Sequence, residues 1–213
     1  DWRDENGDER DYWQQASDGV RALDKSGLLI DDTPGLNKNQ IVARARREHL
    51  RAPLDGVLVD HVHIMDTPGK TKESTEVGDI TRALKGLAKE LNIPVIALSQ
   101  LNRSLEGRQN KRPVMADLRE SGAIEQDADL ILFLYRDDYY AEKEERASEF
   151  PGLVEIIVGK QREGETGKVW ARDRLAYGKL EDYEGDAPKR IEVAKTAPRM
   201  KMRGRDAAAG VDS

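Results

Sequence analysis

The sequence predicts an α/β fold, a mostly parallel sheet flanked by helices with an antiparallel edge toward its C-terminal end, and three observations lead there. Four compact apolar runs, at 56–60, 94–100, 128–134 and 154–158, have the length of strands. The first three lack polar alternation, as strands covered by helices on both faces do. The segment 77–91 places Ile80, Leu84, Leu87, Ala88 and Leu91 along one helical face between the first two runs, which makes a strand-helix-strand crossover. Beyond Gly164, residues 168–183 alternate around Val169, Ala171 and Leu175 with a Gly178-Lys179 turn, the pattern of antiparallel strands closing a sheet edge.

The remaining elements follow in chain order. Residues 1–25 are charged, with Trp13, Val20 and Leu23 at helix-compatible spacing, and predict a short amphipathic helix with a frayed start. Gly27-Leu28-Leu29-Ile30-Asp31 reads as a short strand, and Asp32-Thr33-Pro34-Gly35 as a turn. Residues 37–50 carry Ile41, Ala45 and the row Arg44, Arg46, Arg47, which predicts a surface helix. From Asp186 onward the chain is rich in Ala, Lys and Arg and reads as a disordered tail, so one partial domain is expected over 1–185 and the tail over 186–213.

Composition bounds the function. With 213 residues and 38% hydrophobic content the chain can build one sizeable core. A net charge of -6 argues against a uniformly basic coat, yet 35 Lys and Arg leave room for a local basic channel. The absence of cysteine excludes disulfides and thiolate zinc sites, and no apolar run is long enough to span a bilayer. A soluble cytoplasmic protein with no membrane partner is the expectation. The start at Asp1-Trp2-Arg3, with neither Met nor an apolar leader, reads as that of a fragment or a processed product.

Chemistry concentrates at the ends of the apolar runs. Asp60 closes the first run, and in an open parallel sheet the carboxyl ends of strands form the ligand crevice, where a carboxylate reaches the water shell of a magnesium ion. A solvated strand-end aspartate is the bland alternative. Gln100 closes the second run, where an amide either hydrogen-bonds a terminal phosphate or caps the strand. The polar segment 117–129 feeds straight into the third run as a loop, and Gly159-Lys160-Gln161-Arg162 ends the fourth, where two cations can meet phosphate oxygens. Asp60, Gln100 and Arg162 are expected at the same end of one sheet.

Over 12–183 the chain resembles the superfamily-four, DnaB-type replicative DNA helicases, whose motor is a RecA-like P-loop NTPase core. The resemblance is most specific in Ala97-Leu98-Ser99-Gln100-Leu101-Asn102-Arg103-Ser104-Leu105-Glu106, in Lys111-Arg112-Pro113 through Ala128-Asp129-Leu130, and in Gly159-Lys160-Gln161-Arg162. It implies a motor that hydrolyses ATP with Mg2+ and moves 5'-to-3' on single-stranded DNA within a homo-oligomeric ring, a hexamer, with a primase or helicase loader as further partner. In that family the Asp60 position is the magnesium carboxylate, Gln100 the phosphate sensor, and Lys160 with Arg162 the cations inserted into a neighbouring subunit's ATP site. Arg119, Glu120 and Gly122 match the loop that touches the DNA backbone. Arg103 and Lys111 either add positive potential there or belong to a solvated face.

The likeness has gaps. A complete motor needs a Gly-rich loop ending in Gly-Lys-Ser/Thr, whose amides and lysine hold the triphosphate. The string Asp66-Thr67-Pro68-Gly69-Lys70-Thr71 would need its first glycine at Ile64, so it reads as a loop after the Asp60 strand. The chain thus corresponds to the C-terminal portion of such a motor domain, incomplete on its N-terminal side, and is not expected to hydrolyse ATP unaided. The family's Tyr-Leu-Gln after its magnesium aspartate is replaced by His61-Val62-His63, which reads as packing or solvent-facing since no third metal ligand is evident. His49, near a helix end, reads as structural. A non-hydrolysing DNA-binding or ring-interface partner, or a degenerate fragment, is the alternative. A GTPase reading of the two Asp-Thr-Pro-Gly strings ranks low, because Asn37-Lys38-Asn39-Gln40 lacks a guanine-reading aspartate. A recombinase or clock ATPase of the same superfamily fits 117–129 less well.

Overall fold

The computed structural model describes residues 12–62, 74–118 and 121–189. Helix α1 (Tyr12–Lys25) forms where the periodicity predicts it, and Trp13, Val20 and Leu23 are all exposed. Helix α2 (Lys38–Arg51) starts at a reciprocal cap. The Asn37 side chain accepts from the amides of Asn39 and Gln40, and the Gln40 side chain accepts from the Asn37 amide. Orphan donors of the first turn are thereby satisfied. His49 has the structural role expected of it, since its Nδ1 accepts from the Leu54 amide at 3.1 Å and fixes the exit from α2.

Strand β1 (Val57–Val59) pairs in parallel with β2 (Val95–Ala97), Val57 opposite Val95 and Val59 opposite Ala97. Helix α3 (Ser74–Leu91) makes the crossover between them. Its apolar stripe divides between two cores. Ile80 and Leu84 pack with Val59 and Val62 over the parallel pair, whereas Val77 packs with Leu118, Ile124, Ile131 and Phe133. A helix buried on this scale is held by packing rather than by intrinsic propensity.

The second core belongs to an antiparallel sheet in the order β3-β4-β5-β6, built from β3 (Leu130–Tyr135), β4 (Leu153–Gln161), β5 (Gly167–Arg174) and β6 (Lys179–Asp182). Gly178, at φ 65°, ends the short 3-10 turn Leu175–Tyr177 in the left-handed region that glycine tolerates, and so sets the predicted turn into β6. Helix α4 (Ser121–Asp127) precedes β3, and α5 (Asp137–Lys143) follows it.

Several expectations change. Residues 28–30 form no strand, and Leu28, Leu29 and Ile30 are exposed, since no described strand lies beside them to supply ladder hydrogen bonds. The segment 117–129 contains α4 rather than a continuous loop. The third apolar run pairs antiparallel with the fourth, so the antiparallel part of the sheet structure is the larger. That strand, β3, alternates strictly, with Ile131, Phe133 and Tyr135 buried and Leu130, Leu132 and Leu134 exposed. The sequence hides this alternation because both faces are apolar. The expected tail lies, from residue 190 onward, outside the described residues. No described helix is long and apolar enough to cross a membrane.

Candidate nucleotide and DNA-contact residues

Parallel pairing puts the carboxyl ends of β1 and β2 side by side, and with them Asp60 and Gln100. The pairing extends past the strands, because the Leu98 amide donates to Val59 O at 2.9 Å and the Val62 amide to Leu98 O at 3.1 Å. Asp60 and Gln100 are exposed, and Gln100 Nε2 lies 3.2 Å from His61 Nε2. Both residues thus follow neighbouring parallel strand ends, the place where open α/β sheets form their ligand crevice. A magnesium ion takes one or two carboxylates and completes its octahedron with waters and phosphate oxygens, so a single exposed carboxylate at Asp60 fits such an ion. No group of three or more metal-ligating side chains occurs among the described residues. His63 and the string 66–71 lie outside them, as do Arg119 and Glu120.

Gly122 is exposed in the first turn of α4. Arg103 is exposed at the start of the 3-10 helix Arg103–Gly107. Lys111 is engaged elsewhere. Its ammonium pairs with Glu144 and lies 5.6 Å from the centroid of the Tyr140 ring, which neutralises its charge locally.

Lys160 and Arg162 meet α4. Between Ile131 and Leu132 the register slips, so that Ile131 faces Lys160 while Leu132 faces Val158, and Gly159 is the extra residue of a bulge. Bulges re-aim side chains. Here Lys160 Nζ donates to the backbone oxygens of Glu125 and, at 2.8 Å, Ala128, where the last carbonyls of α4 need partners. Arg162 Nη2 donates to Gln126 O at 3.3 Å, and Arg162 Nη1 pairs with Asp129 Oδ1 at 2.9 Å.

Asp60, Gln100 and Arg162 do not share one end of one sheet. Arg162 stands on the four-stranded sheet, and its partner Asp129 meets α3 at Lys85, six residues before that helix ends and the chain enters β2 at its amino end. The physical reason is the sheet order, which leaves β2 and β3 unpaired with each other and runs β4 against β3. Cations that serve a neighbour's nucleotide need no such convergence.

A buried ionic cluster was missed by sequence reasoning. Glu155, 2% exposed on β4, accepts from Arg112 and Lys168, and Arg112 also reaches Glu149 while its guanidinium lies 4.7 Å from the Tyr135 ring centroid. Arg108 pairs with buried Asp117 at 2.6 Å, and Asp117 accepts the Val114 amide. Residues 108–118 are in this way pinned to β4 immediately before 119–122. Glutamate within the apolar run 154–158 was the available signal, since a buried charge requires a partner.

Residues 3–182 match the family model described as the DnaB-like helicase C-terminal domain. The replicative DNA helicase DnaC of Bacillus subtilis (strain 168) is 44% identical over 174 residues, covering 81% of this chain and 37% of that protein. The replicative DNA helicase DnaB of Pasteurella multocida (strain Pm70) is 47% identical over 186 residues, covering 86% and 38% respectively. The chain spans less than half the length of these relatives. Among solved structures, an isolated ATPase domain superposes with a TM-score of 0.73 at 39% identity, covering 81% of this chain and 60% of that one. A DnaB-like replicative helicase, studied with its interactions with primase, superposes at 0.74 and 38% identity, covering 82% and 44%. The parallel pair with its crossover helix and the antiparallel edge are thus those of a RecA-like fold, and the chain belongs to the DnaB-like helicase C-terminal domain family.

Proposed function

We propose that this chain is the C-terminal portion of an ATP-driven replicative helicase motor that assembles into a homo-oligomeric ring, a hexamer, and unwinds duplex DNA by moving on the single strand. The observation that carries the reading is the juxtaposition of Asp60 and Gln100 at the carboxyl ends of two parallel strands, within a chain of this family. Asp60 would hold Mg2+, which supplies charge neutralisation between the phosphates of ATP. Gln100 orients toward the terminal phosphate, its amide positioned through His61. Lys160 and Arg162 meet the charge that builds on a neighbouring subunit's transferring phosphoryl group. Arg119, Glu120 and Gly122, together with Arg103, contact the DNA backbone, and Lys111 contributes through its Glu144 pair rather than as a bare charge. A primase or helicase loader would be a further partner of the complete protein, and the cytoplasm its place of action.

A second reading, for the chain by itself, is that of a non-hydrolysing partner supplying its cations and DNA contacts to a subunit that carries a complete phosphate-binding loop. DNA-stimulated ATP hydrolysis decides between them. The chain alone is expected to be silent, and the chain mixed with a separately made segment carrying the phosphate loop is expected to turn over. Silence in both, with single-stranded DNA still bound, would leave the binding reading.

A further inference from the structure

The chain leaving β1 and the chain leaving β2 are each held by backbone on both sides of one polar residue. His61 lies between Val59, whose carbonyl accepts the Leu98 amide at 2.9 Å, and Val62, whose amide donates to Leu98 O at 3.1 Å. Val62 is 2% exposed and shares a core with Ile80 and Leu84, which fixes the backbone next to His61. Gln100 lies between that same Leu98 and Leu101, which bridges to Leu118, and just beyond it the Asn102 amide donates to Asp117 O at 2.7 Å. Two anchored backbones thus bring a half-buried imidazole and an exposed amide side chain together, with Gln100 Nε2 3.2 Å from His61 Nε2.

The chemistry of the two groups sets the direction of that hydrogen bond. An amide nitrogen only donates, so the neutral imidazole nitrogen facing it accepts, carries no hydrogen, and leaves the ring proton on Nδ1. The amide has two N–H groups in one plane, and directing one of them at His61 sets the direction of the other. A phosphate oxygen accepts, so a glutamine meets it with an N–H and not with its carbonyl. A long exposed side chain otherwise samples many rotamers, including those that turn the carbonyl forward. The tyrosine of the family at this position carries its polar atom beyond the far edge of its ring, away from the place that Nε2 takes here.

We propose that His61 is a positioning residue for Gln100. By accepting one amide N–H at Nε2 it holds the amide plane, so that the second N–H is already aimed when a terminal phosphate arrives. The task at the phosphate rests on the motor reading, whereas the contact and the tautomer it imposes belong to this chain alone. The device depends on which ring nitrogen carries the proton, with the imidazole neutral throughout.

The test reads the ring 15N resonances of the full chain labelled at its three histidines, in mildly alkaline buffer where an ordinary imidazole is neutral. His49 is an internal reference of the opposite kind, because its Nδ1 accepts from the Leu54 amide and its proton therefore sits on Nε2. His61, assigned by the loss of its signals in His61→Gln, is expected to carry its proton on Nδ1. Gln100→Glu replaces the donor by a carboxylate and is expected to move that proton to Nε2, with His49 and the amide exchange of Val62 and Leu98 unchanged. A His61 ring of the same tautomer as His49 in the unaltered chain, or one unmoved by Q100E, would overturn the proposal. In the mixture with the phosphate-loop segment, His61→Phe keeps a ring but no acceptor and is expected to lower kcat about tenfold at nearly unchanged KM for ATP. H61Q, whose side-chain oxygen stands near the place of Nε2, is expected to recover most of that loss. Full turnover in H61F, or no recovery in H61Q, would equally overturn the positioning role. A silent unaltered mixture would overturn the motor reading, and the sensing task with it, while the ring spectra would still decide whether His61 holds Gln100.

Discussion

Arg112 Nε donates to both carboxylate oxygens of Glu155, at 2.8 and 3.0 Å, and Glu155 is 2% exposed. Removing one partner of a buried pair strands the other charge, and such losses run to about 3–5 kcal/mol. Arg112→Ala is expected in this range, softened by Lys168, which also reaches Glu155 at 3.1 Å. Arg112→Lys should recover only part, because an ammonium lacks the planar fork and the stacking on Tyr135 and Phe150. Urea unfolding checks this, as a lowered midpoint at unchanged slope.

Asp137 is 3% exposed, and its surroundings set how acid acts on the fold. Burial pushes its pKa up, but hydrogen bonds from Arg146, the Glu149 amide and the Tyr135 hydroxyl outweigh that and hold it well below the ordinary carboxylate range. A folded pKa below the unfolded one means stability fully present above the unfolded value, near 3.9, and lost as pH falls through the folded one. The melting temperature is therefore expected to stay level above about pH 5 and to drop steeply below about pH 4. Asp137→Asn should melt lower at pH 7 and show a shallower acid limb, read by thermal melts from neutral to strongly acidic buffer.

Much of this was legible in the sequence because period and burial agree. Ile80, Leu84 and Leu87 recur at helical spacing and are buried residues of α3, and Asn37 with Gln40 spells the cap of α2. Asp60 and Gln100 were legible as polar residues ending apolar runs. What escaped lies in tertiary pairing. Leu130, Leu132 and Leu134 face outward, yet their side chains are as apolar as the inward set, so no alternation was visible in β3. Glu155 and Asp129 gain meaning only from Arg112, Lys168, Lys85 and Arg162, of which all but Lys168 lie more than thirty residues away along the chain. The slip at Gly159, which turns Lys160 into α4, has no signature beyond the glycine itself.

The outward face of β3 carries a solution consequence. Leu132 and Leu134 are 51% and 61% exposed, and Leu58 and Ile96 of the parallel pair 66% and 59%. Exposed apolar strand faces of this kind promote association. The chain by itself is expected to self-associate in a concentration-dependent way, measured by sedimentation equilibrium. Leu132→Thr with Leu134→Thr should lower the average mass while changing stability by no more than about 0.5 kcal/mol per site, as for surface positions in general. An unchanged mass would remove this face as the cause.

Gly159 is where backbone geometry and the candidate site meet. As the extra residue of the bulge, it lies so close to the Phe133 ring that an added Cβ would overlap it and would also come within 3.2 Å of Met115 Sδ. Phe133 is 4% exposed within the core that also holds Val77 of α3 and Ile124 of α4, so the ring cannot withdraw without disturbing both helices. Gly159→Ala is therefore expected to cost about 1–3 kcal/mol by overpacking. Gly167→Ala on β5 meets open space and a residue with no positive φ, and should be neutral or stabilising. The larger effect of G159A should be local. Moving β4 at this point displaces the next residue, Lys160, from the carbonyls of Glu125 and Ala128, so amide exchange at the end of α4 should rise in G159A and stay unchanged in G167A. Equal exchange in the two variants would show that Phe133 yields to the methyl group and that the bulge does not position Lys160.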